Sequence, residues 1–192
     1  MNNFNPSIHR RRSIRLKDYD YSQAALYFIT ICCENRNHLF GEILGDKMKL
    51  NNAGENAKQC WMSIPQHFPN VQLHEFVIMP NHIHGIIEFV GAKNLSPNDG
   101  NESIDIEIND DWANGVRAKY FSPLRGTSKT IGSVVRGFKV GVTKWMRQNS
   151  DVIDVWQRNY FEHIIRNENS FDTIREYIIT NPEKWPHDNF YS

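Results

Sequence analysis

A chain of 192 residues with 40% hydrophobic content is long enough for one ordinary globular domain with a real core. No apolar run approaches the roughly 20 residues a membrane helix needs, and the charged N-terminal stretch has no apolar segment after it of the kind a secretory signal carries, so a cytoplasmic protein without membrane contact is expected. The 22 basic and 22 acidic side chains cancel, but they are segregated along the chain, and a zero sum therefore does not exclude a polyanionic partner.

Residues 1–20 read as a polar arm that holds Arg10, Arg11, Arg12, Arg15 and Lys17 without one acid before Asp18. The remainder, residues 21–192, reads as a single domain. Residues 25–33, ALYFITICC, are aromatic and β-branched, which predicts a buried first strand. Cys32 and Cys33 are adjacent and Cys60 is distant, so the three cysteines form neither a disulfide framework nor a zinc module and are expected as buried small apolar groups. The segment HLFGEILGDKMKL, punctuated by Gly41 and Gly45, predicts a short strand or hairpin. Residues 51–67 place Ala57, Cys60, Trp61 and Ile64 at helical spacing behind an asparagine N-cap candidate.

Residues 71–90 then predict a hairpin whose second strand opens on PNHIHGII. In an extended strand side chains alternate faces, so His82 and His84 point the same way and Ile83 the other. Two neutral imidazoles at fixed separation suit a divalent metal; the bland alternative is a pair of exposed edge-strand histidines. Residues 91–127 are broken by prolines, glycines and asparagines and contain an acidic run from 99 to 111, which predicts a flexible insertion.

Residues 130–146, TIGSVVRGFKVGVTKWM, carry an apolar stripe of helical period. Its outer face presents Arg136, Lys139, Lys144 and Arg147 as a candidate phosphate-binding surface beside the N-terminal arm. Residues 152–165 read as a short strand and a connection. Ser170 is a plausible N-cap for a final helix from 171 to about 180, which Pro182 stops and whose geometry it disfavours at Asn181. The order strand, helix, two strands, helix, strand predicts an α+β fold, a ferredoxin-like (RRM-like) antiparallel sheet with helices packed on one face, plus the C-terminal helix.

On that helix Tyr177 and Asn181 are one turn apart and share a face. A phenol beside a metal that polarises a phosphate can attack phosphorus, and Asn181 could add an oxygen ligand for magnesium or manganese. By itself the pair also fits a core tyrosine followed by a helix stop. Tyr160, near His163, and Tyr120, in the insertion, compete for the same role, while Glu162 and His163 could orient the site from outside the ligand shell.

Together, PNHIHGII resembles the histidine-hydrophobe-histidine motif of the REP-associated tyrosine transposases, and VWQRNYFEHIIRNENSFDTIREYIITNP is similar to their C-terminal signature. The opening RRRSIRLKDYDYSQAALYFITICCENRNHLFGEI resembles the family's first segment, so the likeness spans most of the chain outside 91–127. The resemblance implies that His82 and His84 ligate Mg2+ or Mn2+, that Tyr177 is the nucleophile, and that Asn181 stands where relatives place a polar ligand, often glutamine. It implies cleavage and rejoining of single-stranded DNA near a hairpin through a 5′-phosphotyrosine intermediate, with no small-molecule cofactor. A monomer and a homodimer both remain open. The alternatives are a binding module for hairpin DNA or RNA that does not cut, and a metal hydrolase acting on a small phosphate ester.

Overall fold

The computed structural model describes residues 25–90 and 130–191. The basic arm with Arg10, Arg11, Arg12, Arg15 and Lys17, the expected insertion at 91–127 and Tyr120 lie outside the described residues.

Strand β1 (Ala25–Cys32) sits inside a four-stranded antiparallel sheet of order β4-β5-β1-β6, with β4 at Val71–Ile78, β5 at His82–Phe89 and β6 at Phe161–Ile165. β1 pairs with β5 on one side and β6 on the other, both antiparallel, which is the ferredoxin-like order expected from the chain. The hairpin β2 (Gly41–Leu44) and β3 (Lys47–Leu50) forms a separate two-stranded ribbon. Helix α1 (Asn52–Met62) begins on the expected Asn51 cap, whose side chain accepts from Gly54 N, and a single-turn helix α2 (Ile64–His67) follows. α3 runs Ile131–Asn149 and α4 runs Glu168–Thr180.

Alternation along the strands divides the sheet into two faces. Tyr27, Ile29 and Ile31 of β1 and Ile83 and Ile87 of β5 join Trp61 of α1 and Val134, Phe138 and Val142 of α3 in the main core. Each such fully buried side chain stabilises the fold by about 1.5–3 kcal/mol relative to exposure. Gly85 follows from the same packing: a Cβ there would meet Trp61 Cζ2 at 2.3 Å, so only glycine lets α1 close on β5 between the two alternating sets. The opposite face holds a smaller cluster in which Ile86 and Ile165 pack against Ile178 of α4. α1 and α3 thus share one face, and the tyrosine helix packs on the other.

Three local expectations change. The cap of α4 is Asn167, whose Oδ1 accepts from Ser170 N at 2.8 Å, so Ser170 is the donor inside the first turn rather than the cap. Asn181 keeps right-handed helical angles (φ −58°, ψ −41°) despite Pro182, because the chain continues in turns and Lys184 N donates to Thr180 O. β1 ends at Cys32, and Cys33 makes a separate bridge to Trp156. All three cysteines are free; burial raises each thiol's pKa, that of Cys60 to about 11.

Candidate active site

His82 and His84 stand on the α4 face of the sheet, opposite Cys32 and Thr30 of β1 in register. Both are fully buried, with ring centroids 4.4 Å apart. Sequence alternation placed them on one face; the tertiary structure decides that this face is covered. Phe28 stacks on His84 at 5.3 Å, Phe190 lies 4.6 Å from His82, and Trp185 lies 5.9 Å from it.

The hydrogen bonds determine where each imidazole lone pair points. Asn81 Nδ2 donates to Phe190 O at 2.8 Å, which orients the amide so that Asn81 Oδ1 accepts from His82 Nδ1–H at 2.8 Å. The His82 Nε2 lone pair is therefore free, buried, and without a partner among the described residues. His84 Nδ1 pairs with Thr30 Oγ1 at 2.8 Å, and its Nε2 lies 3.1 Å from the Tyr177 hydroxyl. Such outer contacts hold imidazoles in the ligand tautomer. Burial pushes the His82 pKa down to about 4, with the Asp188 carboxylate partly offsetting it, and burial also holds His84 well below the usual range. Both rings are neutral, and so ligand-competent, at pH 7.

Tyr177 and Asn181 come to these rings from α4 as the one-turn spacing implied. The Tyr177 hydroxyl is also 3.5 Å from Asp188 Oδ2, while Asn181 Nδ2 donates to the same oxygen at 2.7 Å. With its amide nitrogen so committed, Asn181 Oδ1 is left buried and unpartnered. Burial, and then the Asp188 charge, push the Tyr177 phenol up to about 12. No spaced motif marks Asp188 in the sequence, yet ligand atoms of His82, His84 and Asp188 all lie within 4.8 Å of one another. Two unpartnered lone-pair atoms, His82 Nε2 and Asn181 Oδ1, and a carboxylate have the donor chemistry of a divalent-metal site. Thr30, Asn81 and Phe190 were also missed, since none belongs to a spaced motif; only the neighbourhood of PNHIH pointed to Asn81.

Other expected residues fall elsewhere. β6 alternates, so Glu162, opposite Ile29, faces the α1/α3 core, where both carboxyl oxygens are buried without a hydrogen-bond partner. Glu162 is therefore not an orienting group for the histidines. His163 is on the correct face, opposite Phe28, but exposed at the sheet edge, and the orienting bonds to the histidines come from Asn81 and Thr30 instead. Tyr160 packs against the α1/α3 core. Helix α3 lies behind the sheet, away from the histidines. Arg136 and Arg147 are exposed there and Lys144 half-buried, whereas the Lys139 ammonium donates to Gln157 O and Asn159 O at 2.7 and 2.9 Å. Lys139 thus clamps the connection into β6 rather than standing free for phosphate, and burial lowers its pKa to about 8.

This chain shares its fold with the REP-associated tyrosine transposase: a structure of that protein bound to a REP hairpin superposes with a TM-score of 0.56 at 17% identity, covering 90% of this chain and 74% of that one. The chain is also 22% identical over 181 residues, 90% of its length and 83% of the relative's, to a Haemophilus influenzae protein assigned by name to the REP-associated tyrosine transposases. It belongs to one family with an uncharacterized protein of Haemophilus influenzae, 50% identical over 188 residues, which span 98% of this chain and 97% of that protein. No family model matches the chain. No helix of the described residues is long and apolar enough to cross a membrane.

Proposed function

We propose that this protein is a metal-dependent transesterase of single-stranded DNA, acting near a hairpin. The observation that carries the reading is the Tyr177 hydroxyl at 3.1 Å from His84 Nε2, with the neutral His82 lone pair beside it. His82 and His84 would hold Mg2+ or Mn2+, with Asn181 at the edge of the site. The ion's chemistry is to polarise a backbone phosphate and balance its charge. Tyr177 attacks phosphorus: the Tyr O–P bond forms, the P–O3′ bond breaks, the phenol loses its proton and the departing 3′ oxygen gains one. A 5′-phosphotyrosine link and a free 3′-hydroxyl result, and attack by that hydroxyl reverses the step without external energy. Arg136 and Arg147, with the arm at residues 10–17, would hold phosphates away from the reacting centre. A hairpin partner accords with the REP hairpin named for the structural neighbour.

The test is a denaturing gel after mixing labelled single-stranded hairpin oligonucleotides with protein and manganese. A slow-migrating adduct is expected for the wild type and not for Tyr177→Phe, and an adduct that survives the substitution moves the nucleophile elsewhere. One observation favours a second reading. Trp185, Asp188 and Phe190 close over the histidines, which suits a protein of the same ancestry that binds a hairpin without cutting it. That reading gives a salt-sensitive native-gel shift and no adduct with any substrate.

A further inference from the structure

We infer that Phe161 is a stacking platform for an unpaired base of the DNA strand, on a nucleotide adjoining the phosphate that Tyr177 attacks. The inference rests on the DNA reading above and names the side chain that receives a base. Phe161 opens β6, an outer strand of the sheet. It stands opposite Thr30, whose hydroxyl bonds His84, so its ring lies on the histidine face, and there it is 57% exposed. Phe161 and Tyr177 both meet Phe28 edge-on, with ring centroids at 6.4 and 6.2 Å, and Phe28 itself stacks on His84 at 5.3 Å. One aromatic support thus carries both exposed rings beside the site. An edge-to-face contact occupies at most one face of a ring and leaves the other for a stacked base.

The charges around the ring select the ligand. Alternation turns Glu162 to the other face with its carboxyl oxygens buried, and it puts the exposed His163 beside Phe161 on this one. Arg158 and Arg166 are exposed at the two ends of the edge, and neither makes an ion pair among the described residues. From 158 to 166 Glu162 is the sole acid, so no carboxylate of this strand faces outward. An open aromatic ring between two cations suits a chain that offers a π-face and a phosphate at every step. An apolar peptide would leave both guanidinium groups without a use. A duplex keeps its base faces stacked on one another, so only an unpaired nucleotide can use the platform. Stacking accepts any base, and the platform therefore fixes position without reading sequence.

The experiment measures affinity of the full chain, without divalent metal so that no cleavage follows, for a labelled hairpin with single-stranded thymidine flanks and for the same hairpin without flanks. It compares wild type with Phe161→Ala, Phe161→Leu and Phe161→Trp, and circular dichroism on each variant reports its fold. Phe161→Ala is expected to weaken binding of the flanked hairpin by about 10- to 100-fold and to leave the flankless one unchanged. Phe161→Leu, apolar but without a π-face, should lose nearly as much. Phe161→Trp should bind as wild type does and gain a fluorescence quench with the flanked hairpin that wild type lacks. If Phe161→Ala binds the flanked hairpin as tightly as wild type, the inference is overturned. Retention by Phe161→Leu overturns it too, because the contact is then apolar packing, and so does an equal loss on both hairpins, which makes the ring a support of the fold. Absence of DNA binding by wild type removes the DNA reading and the platform with it. Stacking without a Tyr177 adduct leaves the platform standing and refutes only the transesterase step.

Discussion

Acid should loosen this fold through His82. In the folded chain the ring's pKa is about 4, held down by burial against the opposing effects of the Asp188 charge and of Asn181, with a smaller downward push from Arg36; in the unfolded chain it is about 6.5. The unfolded state therefore takes up a proton that the folded state refuses, and stability falls as pH drops from about 6.5 toward 4 and is flat above. The full difference is on the order of 3 kcal/mol, of which about 2 kcal/mol has been lost by pH 5. His84, also depressed by burial, adds in the same direction. Urea unfolding of metal-free protein between pH 7.5 and 4.5 measures the slope, and His82→Gln should flatten it by about those amounts. A variant whose stability follows pH as the wild type's does would refute the assignment of a buried neutral ring at position 82.

Thr30→Val removes the partner of a buried His84 nitrogen. It should cost about 1–3 kcal/mol in denaturant unfolding and weaken Mn2+ binding about 10–100-fold in calorimetry. Lys139 and Arg136 sit on the same helix but should separate. Lys139→Met unties Gln157 O and Asn159 O and is expected to lower the melting temperature, leaving the salt dependence of a DNA band shift unchanged. Arg136→Ala should leave melting unchanged and reduce the slope of log affinity against log salt by about 1.

Much of the architecture was written in local pattern. Period-two spacing put His82 and His84 on one face, the four-residue interval put Tyr177 and Asn181 on one face, and the strand-helix order implied the ferredoxin-like sheet. These are properties of a few neighbouring residues, so chain geometry alone determines them. Local pattern could not place Glu162, because alternation says that it and His163 point apart but not which of them faces the site; the pairing of β6 with β1 decides that. It also misjudged Lys139, since the carbonyls it holds lie in a segment without periodicity. Asp188 is the clearest case: it follows the last helix in WPHDNF, far from PNHIH in sequence, with no spacing that announces it. The packing of Trp185 and Phe190 against His82, with the hydrogen bonds from Asn81 to Phe190 O and from Asn181 to Asp188, brings it to the rings. The sequence by itself determined which side chains share a face, because that needs only the backbone's repeat; the tertiary structure decided which faces meet, because that depends on burial summed over the whole core.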